Sequence, residues 1–203
     1  MPTINVNRQG LGTGSDSGAF ATARSNAASS VTDGITGEGD VQYFNTARTK
    51  RFKRVFLHFD TSGITGTLSA AHIDINGGSA SDGDPNDTIM IKSTAFNGDG
   101  GTAYSSELTT WSTGNNEYTL TAAALADIKD NDHFTLAIVD KDNDYDNSDT
   151  TATADITIDF DVTITLDYTL SGYTHDVNFV AAANIGKVNT VATASIGKMN
   201  TVD

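Results

Sequence analysis

The sequence predicts an all-β protein in which two antiparallel sheets pack together, with one short helix and a repetitive C-terminal extension. Residues 156–168 alternate apolar and polar side chains without a break, and this period of two predicts a strand with one dry and one wet face. Nineteen Gly, many Thr, Ser, Asn and Asp, and only two Pro are typical of short strands joined by tight turns. An eleven-residue repeat marks the C-terminal extension.

The length of 203 residues suits one β domain with an appendage. We therefore predict a sandwich domain at residues 1–170 and an assembly or anchoring extension at residues 171–203. Twelve Lys and Arg against twenty-six Asp and Glu give a net charge of −14. Because this charge repels nucleic acid and anionic membranes, we expect neither as a partner and favour metal cations or basic proteins.

The chain has no cysteine, so disulfide bonds and thiolate metal sites are excluded. The first ten residues contain no apolar run typical of a signal peptide, and no segment has the roughly eighteen apolar residues needed to cross a bilayer. We therefore expect a protein that is not secreted by the usual route, or that leaves the cell by another route such as release within a virus particle.

The first fifty residues carry a weak pattern. A strand is predicted at Thr3–Asn7, a Gly-rich turn at Gly10–Gly18 and a second strand around residues 41–44, while the Ala-rich stretch Ala19–Ser29 receives no assignment. Five of the twelve positive charges then fall within seven positions, at Arg48, Lys50, Arg51, Lys53 and Arg54. This basic segment is either a binding surface for an acidic neighbour or a solvated strand whose charges balance nearby Asp.

The middle of the chain predicts three further strands separated by polar loops. Alternating apolar residues place strands at residues 55–59 and 71–75, and a short apolar run places another at residues 89–92. The polar segments 77–87 and 97–101 are predicted to be loops, and loops of this length are where function usually lies.

One short helix is predicted at Ala122–Lys129, with Thr119 or Thr121 as its N-cap and with Leu125 and Ile128 facing the sheet. A strand follows at residues 134–138. The alternating segment 156–168 comes last and would span roughly 40 Å at about 3.3 Å per residue, which exceeds an ordinary strand. We therefore predict a bend or bulge near residues 159–161.

The loop at residues 140–149 is the most acidic in the chain and is a candidate calcium site. Carboxylates recur there at every second position, so a curled loop could direct several oxygen ligands at one Ca²⁺. The loop differs from an EF-hand, because Tyr145 stands where Gly is needed and Thr151 where Glu is needed. A solvated acidic turn is the alternative. The candidate ligands are Asp140, Asp142, Asp144 and Asp146.

Three aromatic residues near predicted turns are candidates for sugar binding: Tyr104, Trp111 and Tyr118. An aromatic ring exposed beside a loop can stack on a sugar ring, whereas the alternative is that these rings fill the end of a β core. The chain lacks the motifs H-E-x-x-H and G-x-S-x-G and has no P-loop, and its four histidines are scattered. We therefore expect no enzymatic activity.

The C-terminal extension contains an eleven-residue repeat in two full copies, 177–187 and 188–198, and a fragment at 199–203. Its apolar residues can form a helical stripe, but Gly, Val, Thr and Asn disfavour a helix, and extended segments added to the edge of a sheet are the alternative. In either form these apolar side chains need a partner. The candidate assembly residues are Ile185, Val188, Val191, Ile196, Met199 and Val202.

Several segments of the predicted domain match a known pattern: Arg54–Ser62, Ala70–Ile75, Tyr118–Ile128, Phe134–Ile138 and the closing alternating strand. Together they resemble the DNRLRE-type jelly-roll domains, which are related to carbohydrate-binding modules, over about residues 15–170. This resemblance implies an antiparallel two-sheet jelly-roll sandwich, and it makes a carbohydrate-binding adhesion module that binds a glycan one candidate function.

The repeat unit Ile185–Val191 resembles the I-G-K-V-N-G-V repeats at the ends of structural proteins of tailed bacteriophages, with Thr190 and Thr201 in place of the commoner Gly. This resemblance implies a virion component that is made in the host cytoplasm and docks on sister or other virion subunits. We therefore expect a non-enzymatic decoration, fibre or tail accessory subunit, homo-oligomeric, with no cofactor other than the calcium considered above.

Overall fold

In a computed structural model the chain forms antiparallel strands with few helices, which confirms the predicted all-β class. The structure describes residues 3–6, 8–16, 19–33, 39–46, 48–81, 87–93, 101–149, 155–160, 165–170, 187–188 and 191–192. Its strands are β1 Thr3–Asn5, β2 Arg8–Asp16, β3 Val31–Asp33, β4 Gly39–Asn45, β5 Lys50–Asp60, β6 Leu68–Ser81, β7 Thr88–Lys92, β8 Asn115–Thr119, β9 His133–Asp140, β10 Asp155–Phe160, β11 Thr165–Leu170, β12 Lys187–Val188 and β13 Val191–Ala192. Its helices are α1 Phe20–Ser29, α2 Ala122–Asp130 and a π-helical turn, Lys141–Tyr145.

The strands form two layers that are joined by the long strand β6. The first layer contains β1, β11, β6 and β8, whereas the second contains β10, β4, β5, β2 and β3, with β9 and β7 continuing from β5. Residues 68–74 of β6 pair with β11, and residues 77–81 pair with β10, so this strand leaves one layer and enters the other. Every pairing between the described strands is antiparallel.

The main core lies between the two layers. Alternate residues of β5, β6 and β9 point into it, as their apolar periodicity predicts, and they are fully or almost fully buried: Val55, Leu57, Phe59, Ile73, Ile75, Phe134, Leu136 and Ile138. Helix α2 adds Ala124 and Ile128 to this core. Its N-cap is Thr121, whose side chain accepts a hydrogen bond from the Ala124 backbone N–H at 3.4 Å.

Two predictions were wrong: residues 8–16 form strand β2 rather than a turn, and the described part of the domain contains two α-helices, α1 and α2, rather than the one predicted. The glycines of β2 allow α1 to approach. A Cβ atom on Gly12 would lie within 3.0 Å of the Ala27 carbonyl oxygen, and one on Gly14 within 3.0 Å of the Ala23 carbonyl oxygen. These glycines therefore serve close packing of α1 rather than a change of chain direction.

The alternating segment forms two strands, β10 and β11, and residues 161–164 between them lie outside the described residues. Pairing of β10 with β6 shifts register between Ile158 and Phe160. The extra position lies in β6, between Gly77 and Ala80, and β10 pairs with β4 without a shift, so the bend or bulge predicted near residues 159–161 of the segment itself is not confirmed. The predicted loop at residues 77–87 begins later than expected, since β6 continues through Ser81.

Candidate functional site

The acidic loop after β9 begins with a capped turn. The Oδ1 atom of Asp140 accepts hydrogen bonds from the backbone N–H groups of Asn143 at 2.7 Å and Asp144 at 3.3 Å. These bonds satisfy amide groups at the start of the π-helical turn, as an N-cap does in an α-helix. The turn carries Asp144 into the protein, where its side chain is 2 % exposed.

Asp144 forms a buried ion-pair cluster with two arginines. Arg54 donates from Nε to Oδ2 at 2.7 Å and from Nη2 to Oδ1 at 2.5 Å, a bidentate contact. Arg24 of helix α1 donates from Nε to Oδ1 at 3.0 Å and to the Asp144 backbone oxygen at 2.6 Å. Both carboxylate oxygens therefore already have cationic partners, and a metal ion at Asp144 would have to compete with them.

Asp140 is also buried, and burial raises its pKa to about 7. Hydrogen bonds from the Asn143 and Asp144 backbones oppose this shift, whereas the nearby Asp144 charge adds to it. Within the described part of the chain, Oδ2 of Asp140 and Nη1 of Arg54 are buried without a hydrogen-bond partner. The protonated carboxyl is therefore favoured at Asp140 below about pH 7.

The other two predicted calcium ligands lie nearer the surface. Asp142 is half-buried, and Asp146 is exposed and accepts a hydrogen bond from Lys141 Nζ at 2.7 Å. Among the described residues, the set whose ligand atoms all lie within 4.8 Å of one another is found elsewhere, at His72, Asp74 and Glu117. The acidic loop would therefore need to rearrange to direct its carboxylates at one ion.

The three aromatic rings predicted to bind sugars, Tyr104, Trp111 and Tyr118, are all buried in the main core. Tyr104 stacks on Phe134 with a centroid distance of 5.2 Å. A sugar-stacking platform at these residues would require the rings to turn outward.

Tyr104 nevertheless lines a cleft of about 340 Å³ between α2 and β9. It donates a hydrogen bond to Asp127, and Lys92 Nζ lies 2.6 Å from the same carboxylate. Burial favours a higher pKa for Asp127, but the Lys92 and Tyr104 hydrogen bonds outweigh it and hold that pKa below its usual value. Burial and the Asp127 contact raise the pKa of Tyr104. Ser93 also lines the cleft, and among the described residues its buried Oγ has no hydrogen-bond partner.

Four of the five charges of the basic segment lie on β5, after Arg48, and three of these four contact acidic residues of this chain. Lys53 Nζ lies 2.5 Å from Asp40 Oδ2, Lys50 pairs with Asp149, and Arg54 pairs with Asp144 as described above. Arg51 lies over the Phe44 ring at 5.2 Å. These contacts favour the interpretation in which the segment balances nearby Asp.

Within the repeats, Lys187–Val188 pairs with Val191–Ala192 as a short antiparallel hairpin. The pairing joins Lys187 to Ala192 and Val188 to Val191. Two predicted assembly residues thus lie in paired strands, and this segment is extended rather than helical. The other four lie outside the described residues: Ile185, Ile196, Met199 and Val202.

Sequence patterns did not identify Arg24, Lys92, Ser93 or Asp127. Arg24 had one usable signal, since it is the only charged residue in the Ala-rich stretch. Comparison with models of known protein families finds no match, and a search of curated proteins finds no significant similarity. Among the described residues, no helix has both the length and the apolar character that a membrane span requires.

Proposed function

We propose that the protein is a non-enzymatic structural protein of a virus particle, a decoration, fibre or tail accessory subunit with a displayed jelly-roll body and docking C-terminal repeats. The observation that carries this proposal is the hairpin Lys187–Ala192 within the repeat. A ladder of two residues per strand is too short for stability on its own, and its outer edges, which pair with no other described strand, can add strands of another chain.

The repetition strengthens this argument. The run Lys-Val-Asn-Thr-Val at residues 187–191 returns as Lys-Met-Asn-Thr-Val at residues 198–202, so nearly the same five-residue sequence occurs twice. Residues 177–203 carry two Lys and one Asp, a net charge of +1, whereas the whole chain has a charge of −14. Attraction to acidic bodies of sister subunits is therefore electrostatically favourable.

Support for the jelly-roll body comes from its layers. Two sets of antiparallel strands enclose the main core, and β6 passes from one set to the other, as corner strands of packed sheets do. The described core residues all belong to positions before 171, so the body can fold around its own interior while the extension engages partners.

Deletion of residues 177–203 tests the proposal. We expect the truncated protein to keep its β-type circular dichroism spectrum and cooperative unfolding but to be lost from particles in co-sedimentation. A matched pair of full-length variants refines the test. Val191→Pro removes a backbone N–H from a paired strand and should reduce incorporation, whereas Thr190→Gly, which introduces the commoner residue of the repeats this extension resembles, should preserve incorporation. Normal incorporation of the truncated protein would refute docking through the repeats.

A second candidate function, sugar binding, is favoured by the cleft between α2 and β9. The Lys92 ammonium, the Asp127 carboxylate and the buried Ser93 hydroxyl are donors and acceptors of the kind that bind sugar hydroxyls. A glycan array with the full-length protein tests this function, followed by Asp127→Asn for any glycan that binds. Loss of glycan binding in Asp127→Asn would support the cleft as the sugar-binding site. Retained binding in Asp127→Asn but loss in Trp111→Ala would favour the aromatic residues instead.

A further inference from the structure

The outer face of the first layer brings a histidine and two carboxylates together. His72 and Asp74 are two residues apart on β6, and Glu117 on β8 stands directly opposite Asp74 in the strand register. Residues two apart on a strand, and residues opposite each other in an antiparallel pair, point to the same face. Their neighbours Ile73 and Tyr118 are buried on the other face, so the three polar side chains are on the outside.

The three side chains are close enough to share one ion. One ligand atom from each lies within 4.8 Å of the other two, and His72 Nε2 is 3.2 Å from Asp74 Oδ2. Two ligands of a tetrahedral zinc ion, each about 2.1 Å from the metal, are about 3.4 Å apart. The histidine and aspartate are therefore already at ligand spacing. Glu117 is exposed, and a rotation of its side chain can bring its carboxylate closer.

A neighbouring amide fixes the orientation of Asp74. Asn115 on β8 donates from Nδ2 to Oδ1 of Asp74 at 2.7 Å, which leaves Oδ2 facing His72. Hydrogen bonds that orient a ligating carboxylate are common around protein metal ions. Within the described part of the chain, neither Asp74 nor Glu117 has a Lys or Arg partner within 4.0 Å, so no described Lys or Arg side chain neutralises their negative charge.

We propose that His72, Asp74 and Glu117 form a surface site for a divalent transition-metal ion of the zinc class, with water completing its coordination. The imidazole nitrogen distinguishes this site from the acidic loop, since Ca²⁺ and Mg²⁺ prefer oxygen ligands alone whereas Zn²⁺ binds nitrogen and oxygen together. The bound ion would tie β6 to β8 at the surface of the sheet. This proposal does not depend on the proposed virion function.

Isothermal titration calorimetry of the full-length, chelator-treated protein with ZnCl₂ tests the site. We expect saturable binding of one Zn²⁺, and at least tenfold weaker binding in His72→Ala and in Glu117→Gln. His133→Ala and Glu107→Gln remove the same side-chain types elsewhere and should bind as the unmodified protein does. Thermal unfolding of each variant without metal checks that the fold is intact, and Glu117→Gln keeps the test decisive if His72→Ala is unstable.

Cobalt provides a second measurement that depends on the ligands themselves. Titration with CoCl₂ should produce visible absorption from the bound ion, and this absorption should be lost in His72→Ala. Absence of zinc binding would overturn the proposal. So would zinc affinity that is unchanged in both site variants, or CaCl₂ binding that is as tight as zinc binding and equally sensitive to Glu117→Gln.

Discussion

Replacement of Asp140 by Asn should change how stability depends on pH, because Asp140 is a buried carboxyl whose pKa is about 7 in the folded protein against 3.8 in the unfolded chain. Between these values the folded state binds more protons than the unfolded state. Stability from this residue is therefore present at low pH and is lost as pH rises toward 7. Because Asn cannot ionise, the free energy of unfolding of the variant does not fall with rising pH at this residue.

The magnitude follows from the pKa difference of 7 minus 3.8, about 3 units. At 1.36 kcal/mol per unit, the loss approaches ~4 kcal/mol by pH 8, as an order of magnitude. The Asn side chain keeps an oxygen for the two amides that Asp140 now caps, but it places an NH₂ group where Oδ2 lies without a partner in the described structure. That buried donor costs about 1–3 kcal/mol at every pH, so the pH dependence of the difference is diagnostic.

Urea unfolding of both proteins from pH 4.5 to 8 measures the effect. The free energy of unfolding of Asp140→Asn, minus that of the unmodified protein, should rise by several kcal/mol across this range. Asp142→Asn removes the same formal charge from a half-buried position in the same turn and should show a much smaller rise. Parallel pH profiles for Asp140→Asn and the unmodified protein would refute the assignment of a raised pKa to Asp140.

Three other substitutions test the packing of the body by chemical or thermal unfolding. Gly14→Ala should destabilise the protein by several kcal/mol or displace α1. As a control, Gly63→Ala, whose added Cβ atom meets nothing within 4 Å, should be neutral or up to about 1 kcal/mol stabilising. Equal effects of the two substitutions would refute the close-packing role of Gly14. Asp144→Ala should cost about 3–5 kcal/mol by leaving buried arginine charge unpaired, and adding Arg54→Met should recover part of this loss. If the effects of Asp144→Ala and Arg54→Met on the free energy of unfolding simply add, the two side chains do not stabilise each other as an ion pair. Thr121→Ala should cost about 1 kcal/mol by removing the cap of α2, and no change in the midpoint would contradict that role.

The parts of the fold that sequence patterns predicted are those that depend on local signals. Strands β5, β6 and β9 each place alternate residues in one core, and this alternation is visible in the sequence alone. Helix α2 has a capping Thr and two apolar residues three positions apart, so its limits were predicted to within one residue. The all-β class follows from many such signals acting together.

The errors arise where a local signal has two physical causes. A run with Gly at positions 10, 12 and 14 is typical of a turn, but a strand under a helix needs glycine as well, because a Cβ atom there would meet the helix backbone. Only the position of α1 distinguishes these cases. The Ala-rich stretch gave no periodic apolar pattern, since the face that packs on β2 consists of small residues such as Ala23 and Ala27.

The acidic residues of the two candidate sites could be counted from the sequence, but their partners could not. Arg54 and Asp144 are 90 positions apart and meet only because the turn after β9 comes back against β5. His72 and Glu117 are brought together by the register of β6 and β8, which a shift of one residue would destroy. Long-range register is therefore the information that composition and periodicity lack.

The acidic loop and the β6–β8 face also differ in chemistry, because their carboxylates have different partners. In the acidic loop the chain supplies its own cations, because Arg54 and Arg24 hold Asp144 inside the protein. On the outer face of β6 and β8 the described residues supply only an imidazole, which is neutral unless protonated, beside Asp74 and Glu117. A protein with a charge of −14 has few cations to spare. An external divalent ion is therefore expected to add more stability at the β6–β8 face than in the loop where the calcium site was predicted.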